Sequence, residues 1–167
     1  MITNFFRALL MFTVIITMNS CSSDSSDVQS ANTASLKVVN YSYSTSEIET
    51  MNLINAYRVS VGLNALEKID YISRKSEEHD NYMITTNTVN HNNFVSRSED
   101  IIKVLGAKLV GENIAYNYNT PQAAIKAWLA SSGHKENIEG NFTHFGISIR
   151  KDPVTGRNYY TNIFAKI

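Results

Sequence analysis

Phe145-Gly146-Ile147-Ser148-Ile149, then Asp152-Pro153-Val154-Thr155-Gly156, then Tyr159-Tyr160-Thr161-Asn162-Ile163-Phe164-Ala165 is the stretch that sets the fold class. In the first run, large apolar residues alternate with small ones, the period of a strand half-buried on a sheet. The middle run carries turn chemistry, and the last is rich in aromatic and β-branched residues that favour strands. The two runs are expected to pair as an antiparallel hairpin. Val110–Tyr116 is a third strand candidate.

Upstream of the hairpin the period is helical. Ser46 and Glu49 have capping-box spacing, with Leu53, Ile54, Tyr57 and Val61 recurring behind them and Gly62 as the stop. A second helix is expected over Asp70–Thr85. Ser96 and Glu99 suggest another capping box ahead of Ile101, Ile102 and Leu105. Thr120-Pro121 opens a further helix, with Thr as N-cap and Pro where its missing amide proton costs nothing. Ala124, Ile125, Trp128 and Leu129 form its apolar face and Gly133 its end. Helices first and a hairpin last predict an antiparallel sheet covered by helices, an α+β sandwich.

The 167 residues suffice for one domain with a real core. Fifteen basic residues balance fifteen acidic ones, and no Lys/Arg-rich run is present, so no nucleic-acid partner is expected. Arg7 precedes an apolar run from Ala8 to Met18, too short to span a bilayer but suited to a signal peptide over residues 1–20. Met18-Asn19-Ser20-Cys21 resembles the lipobox at which bacterial lipoprotein precursors are acylated and cut. Cys21 is the only cysteine, so no internal disulfide forms. Residues 21–45 read as a lipidated, Ser/Asp-rich tether that has little to bury, although Val39, Tyr41 and Tyr43 alternate as a strand would. The folded domain is expected over 46–167. Acyl chains on Cys21 would anchor it to a membrane, and the acidic, serine-rich stretch resembles surface-export signals of some Gram-negative lipoproteins. The expected location is the cell envelope, lipid-anchored at the outer membrane, with either surface or periplasmic exposure.

Several motifs now stand in order: Asn55-x-x-Arg58, Gly62-Leu63-x-x-Leu66, Asn90-His91-x-x-Phe94 and Gly111-Glu112-Asn113-Ile114-Ala115. Ala127-Trp128-Leu129-x-Ser131-x-Gly133-His134-x-x-Asn137-Ile138 and Phe142-Thr143-x-x-Gly146-Ile147 follow. From Ser46 to the C-terminus they resemble the CAP superfamily (cysteine-rich secretory proteins, antigen five, pathogenesis-related proteins), in its bacterial SCP-like extracellular branch. The resemblance implies a three-layer α-β-α sandwich with a central antiparallel sheet, in keeping with the helix and strand reading, and a cleft faced by His91 and Glu112. His134 matches a histidine of the bacterial branch, with Ser132 where that branch has proline. The remaining Glu and His of the eukaryotic tetrad have no clear counterparts; Ser131 and Asn141 stand closest.

Two imidazoles and a carboxylate are a ligand set for zinc with an open fourth position, so His91 and His134 are candidate metal ligands. The alternative is that they hydrogen-bond to Glu112 and backbone and hold the cleft loops. His144 is a further cleft candidate. His79 reads as a polar residue on a helix face, Trp128 as a core anchor, and Tyr116–Asn119 as a loop whose aromatics could touch a ligand. Hydrolase signatures such as Gly-x-Ser-x-Gly and His-Glu-x-x-His are absent. The favoured reading is a non-catalytic binding module for a lipid, glycan or protein; the alternative is a metal-assisted hydrolase built on His91, Glu112 and His134.

Overall fold

The computed structural model describes residues 39–167; the expected signal peptide, Cys21 and most of the tether lie outside them. The elements in chain order are α1 (Thr45–Ser60), β1 (Glu67–Lys68), α2 (Asp70–Thr86), α3 (Phe94–Leu105), β2 (Leu109–Tyr116), α4 (Pro121–Ala130), α5 (Ser132–Glu139), β3 (His144–Lys151) and β4 (Asn158–Lys166). The strand order is β1-β3-β4-β2. The three long strands pair antiparallel, and β1 adds two residues parallel to β3. Among the described residues no helix is long and apolar enough to cross a membrane.

Alternation along β4 creates the layers. Tyr160 and Phe164 join Met51 and Ile54 of α1, Trp128 of α4 and Ile138 of α5 in one core. Ile163 and Ala165 turn the other way, onto Ile72 of α2 and Ile101 of α3. The fold is therefore the α-β-α sandwich read from the sequence. α2 lies directly on β3 because Gly146 has no side chain: a Cβ there would sit 2.3 Å from Ser73 N. Ser73 and Ser76 exploit that approach, with Ser73 Oγ accepting from Ile147 N (3.1 Å) and Ser76 Oγ donating to Gly146 O (3.2 Å). The turn between β3 and β4 closes as its residues demand: Asp152 Oδ1 accepts from Val154 N, and Gly156 takes φ +72°.

Helix boundaries moved where local polar spacing was ambiguous. The capping box of α1 is Ser44 with Glu47, not Ser46 with Glu49. Both pairs share one spacing. Only Glu47 can turn inward, where Tyr41 Oη, Ile149 N and Arg150 Nη1 all donate to its Oε1. The folded unit consequently begins before Ser46: Tyr41 is buried, and its N–H donates to Asp70 Oδ2. This segment forms no strand. Val61 caps α1 and is exposed, while Arg58 is buried on the inward face.

α3 starts at Phe94, behind Asn93 at φ +60°, so Ser96 and Glu99 fall inside it. Ser131 adopts extended backbone and ends α4. Gly133 lies within the separate helix α5, which buries only Ile138 and so shows almost no apolar period.

One buried group on the α2 face titrates unusually. Asp80 is fully buried, and its Oδ1 accepts from Thr161 Oγ1 at 2.6 Å. Its Oδ2 and the Oγ of Ser148, the cross-strand neighbour of Thr161, have no partner among the described residues. Burial pushes the carboxyl well above the usual range, so the folded protein holds it neutral. An unfolded aspartate ionises above about pH 3.9. Stability from Asp80 is therefore complete below that pH and is lost as pH rises toward the folded value. Asp80→Asn reproduces the neutral acid, including its donor. Thermal melts are expected to show the variant equal to wild type near pH 4 and more stable at pH 8; equal pH slopes for both would refute the assignment.

Candidate functional site

β2 is an edge strand, and a cleft wraps around it from one face of the sheet to the other. On the α2/α3 side, Arg97 of α3 meets the Glu112 carboxylate with Nε at 3.1 Å from Oε2 and Nη2 at 2.8 and 2.9 Å from the two oxygens. His91, in the loop between α2 and α3, places Nδ1 2.9 Å from Glu112 Oε1. The carboxylate is 1% exposed, whereas the His91 side chain is 54% exposed. Burial alone would raise the Glu112 carboxyl; the His91 hydrogen bond and the Arg97 guanidinium outweigh it and hold the group below its ordinary range. As an ionised acceptor Glu112 accepts a hydrogen bond from Nδ1–H, which leaves His91 Nε2 as the nitrogen without an intramolecular partner among the described residues.

The loop bearing His91 is clamped from below. Arg97 Nη1 donates to Asn92 O at 2.7 Å. His79, buried under the loop, donates Nε2–H to Asn90 O at 2.8 Å, which assigns the tautomer because a carbonyl only accepts. Burial, then Arg97, keeps the His79 imidazole below its ordinary pKa.

On the other face, the Gly111-Glu112-Asn113 run resolves into three separate requirements. A Cβ at position 111 would stand 2.7 Å from Asn137 Oδ1, so close approach of α5 needs glycine. Glu112 supplies the buried anion. Asn113 Nδ2 donates to His134 O at 2.9 Å and its Oδ1 accepts from Asn137 Nδ2 at 2.9 Å, tying α5 to the strand. Asn137 Nδ2 also reaches Glu112 O at 3.0 Å, and Trp128 Nε1 donates to Ile114 O at 2.8 Å. These two bonds satisfy outward-facing carbonyls of the edge strand.

The resulting cavity is about 430 Å³ and includes His91, His134, Ser131, Trp128, Tyr116 and Tyr118 in its walls. His91, Ser131 and His134 thus share one recess, with Glu112 behind His91. His134 is kept below the ordinary imidazole pKa by burial and then by His91. Asn141 and His144 lie elsewhere. Asn141 Oδ1 accepts from Lys166 Nζ, and His144, two strands from β2, faces Thr143 and Glu67. Sequence reading overlooked Arg97, whose only signal was an arginine one helical turn beyond Phe94, and assigned His79 no more than a helix face.

Glu112 is not available as a zinc ligand. Both Glu112 oxygens are engaged by Arg97, whose fixed positive charge opposes a cation. Among the described residues no group of three His, Cys, Asp or Glu side chains is placed to hold a metal ion. The arrangement is instead a carboxylate–imidazole pair on a neutralised base.

Removing Arg97 would strand a buried carboxylate. Arg97→Met is expected to cost about 3 kcal/mol in urea unfolding, and Arg97→Met with Glu112→Leu to recover most of it. A single-variant loss under about 1 kcal/mol would mean the loop is held by other contacts.

Comparison with known proteins places this architecture. Residues 51–164 match the CAP family, described as the cysteine-rich secretory protein family. The uncharacterized protein YkwD of Bacillus subtilis (strain 168) is 36% identical over 110 residues, 64% of this chain and 43% of the relative. The uncharacterized membrane protein YlbC of the same organism is 33% identical over 129 residues, 73% of this chain and 35% of the relative. The chain therefore spans less than half the length of both. Among solved structures, an outer surface protein of Borrelia burgdorferi aligns with TM-score 0.64 at 19% identity, over 76% of this chain and 97% of that one. An extracellular protein containing a SCP domain from Bacillus anthracis str. Ames aligns with TM-score 0.63 at 25% identity, over 73% and 40%. With its sandwich, its edge-strand cleft and a family match across most of its length, the chain belongs to the CAP (cysteine-rich secretory protein) family.

Proposed function

We propose that the protein is a non-catalytic binding module, held at the cell envelope, whose cleft takes a compact ligand presented outside the cell. The observation that carries this reading is the engagement of Glu112. Its oxygens are consumed by Arg97 and His91, so the one carboxylate behind the cleft is neither a free general base nor an open metal ligand. What faces the ligand is a wall of aromatic and small apolar side chains with a few hydrogen-bonding groups, the ordinary composition of a small-molecule site. The candidate ligands are a lipid, a glycan or a protein segment.

Envelope location is supported by the N-terminal pattern of Arg7, the apolar run and Cys21, and by solved relatives described as outer-surface and extracellular. One acyl chain binds membranes only marginally, so stable anchoring needs the multiple chains of a lipoprotein cysteine. Cys21→Ala is expected to move the protein from the membrane pellet to the soluble fraction. A variant that still sediments with membranes would place the anchor elsewhere.

The His91–Glu112 pair favours one second reading. An imidazole oriented by a carboxylate and presenting Nε2 to a cavity is the usual form of a general base, and a hydrolase of an extracellular polymer or peptide could be built on it without a metal.

Trp128, the only tryptophan, lines the cleft and reports on its occupancy. Titration of the full chain with panels of lipids, oligosaccharides and peptides is expected to shift Trp128 emission saturably for one class, with the ligand recovered unchanged. Turnover of that ligand, lost in His91→Gln, would replace binding with catalysis; no response from any class would remove the binding reading.

A further inference from the structure

We infer that the cleft takes the carboxylate end of an extended peptide, which adds as a strand to the outer edge of β2; this rests on the binding reading above and narrows it. The first argument is the backbone of β2. Asn117 N donates to Asn158 O at 2.7 Å, and Tyr116 stands opposite Tyr159 in the register. Alternate residues of an antiparallel strand bond to the neighbouring strand. Asn113 and Ala115 therefore bond to β4, while Glu112, Ile114 and Tyr116 direct their N–H and C=O groups outward. Asn137 and Trp128 cover the outward carbonyls of Glu112 and Ile114. The N–H groups of Ile114 and Tyr116 have no acceptor among the described residues. The other side of the sheet is treated differently. Beyond the two residues of β1, the outward N–H groups of Ile147 and Ile149 are served by Ser73 Oγ and Glu47 Oε1. Ile114 is buried, and buried amides are almost always paired. The cavity has Ile114, Ala115 and Tyr116 in its wall, so what occupies it lies along this edge.

The second argument is the balance of donors and acceptors. Acceptors around the cleft are already engaged. The Glu112 carboxylate accepts from Arg97 and His91, Ile114 O from Trp128, Asn90 O from His79 and His134 O from Asn113. Donors remain at Ile114 N and Tyr116 N, and Arg157 adds a cation at the Tyr116 end of the row. Arg157 is exposed, its Nη1 donates to Tyr116 Oη at 3.0 Å, and its guanidinium lies 5.9 Å from the centre of the Tyr116 ring. Asp152, in the turn beside it, spends its oxygens on Val154 N and Thr155 Oγ1. Among the described residues, none that lines the cavity is Asp or Glu. A ligand carrying carbonyl oxygens and one carboxylate complements this wall, whereas a cation would lose water without gaining an anion.

The third argument is spacing. Ile114 and Tyr116 are two residues apart, about 7 Å along a strand. Alternate carbonyls of an extended peptide recur at the same interval, so two of them meet both amides. Tyr116 O, which accepts from no donor among the described residues, is left to receive one peptide N–H. An acyl chain offers a single oxyanion and no second acceptor at that distance. The cavity of about 430 Å³ is at the small end of ligand sites and suits a short segment. Recognition of this kind runs mainly through the backbone, as strand addition does elsewhere.

The test titrates the full chain with N-acetyl-trialanine, its C-terminal amide, the acid N-methylated at its central residue, and hexanoate, following Trp128 emission and calorimetry. The expected result is saturable binding of the peptide acid, with the amide about fivefold weaker and the N-methylated acid about tenfold weaker. Hexanoate is expected not to saturate. Arg157→Gln is expected to abolish the advantage of acid over amide while leaving the affinity for the amide unchanged. By NMR, the saturating acid is expected to slow amide hydrogen exchange at Ile114 and Tyr116 and to leave Asn113 and Ala115, already bonded to β4, as they were. Equal affinity for acid and amide would overturn the carboxylate assignment. Binding without slower exchange at Ile114 and Tyr116 would overturn strand addition, and hexanoate binding as tightly as the acid would overturn the peptide. Failure of all four probes, with saturation by a lipid or oligosaccharide of the wider panel, would remove the peptide and leave the binding reading standing. No response in either set would remove both.

Discussion

Glu112 stands on an edge strand with its carboxylate almost wholly out of water, where an unpaired charge would cost several kcal/mol. Neutralising it organises the neighbourhood. Arg97 must reach it, so α3 begins early at Phe94, and the same guanidinium holds the carbonyl of Asn92. His91 is drawn to the remaining approach and becomes the exposed member of the set. The loop between α2 and α3, the start of α3 and the middle of β2 are thus fixed by one buried anion. The same fact sets the cleft's chemistry, because an anion already satisfied by a fixed cation has little left to offer a metal.

A second constraint acts through the sheet. β4 is flanked on both sides by long strands and covered on both faces by helices, so its residues alternate between two apolar cores, with Thr161 and Asn162 as buried polar exceptions. Gly146 and Gly111 each remove a side chain where a helix must come close, α2 over β3 and α5 over β2. Arg58 closes the far end. Its buried guanidinium donates to Ile138 O at 2.6 Å, Gly140 O at 2.9 Å and Asn64 O at 2.8 Å, joining the loop after α1 to the end of α5. The carbonyls it reaches lie at the end of α5 and in the loop after α1, and one of them, Gly140 O, also accepts from Phe142 N at 2.8 Å.

Legibility followed the strength of local signals. Alternation at Phe145–Ile149 and the turn residues Asp152–Gly156 were sufficient for the hairpin, and Thr120-Pro121 marked the start of α4 to the residue. The fold family was readable from motifs in which Gly111, Gly146, Asn113 and Arg58 each answer a packing need now visible. Two-residue β1 and the helix α5 carry too few apolar residues for any period to appear. Ser44–Glu47 and Ser46–Glu49 have identical spacing, and only the burial of Glu47 against Tyr41 and Arg150 separates them.

The sequence by itself determined the order of helices and strands, the sandwich class and the residue types available for a cleft, because these depend on periodicity, turn chemistry and side-chain inventory along the chain. Tertiary structure alone decided which of those residues meet. It brought His91, Ser131 and His134 to one recess, left Asn141 and His144 outside it, and added Arg97 and His79, which no linear motif had marked. The physical reason is that charge pairing and close approach act through space between segments far apart in the chain, where spacing along the sequence carries no information about distance.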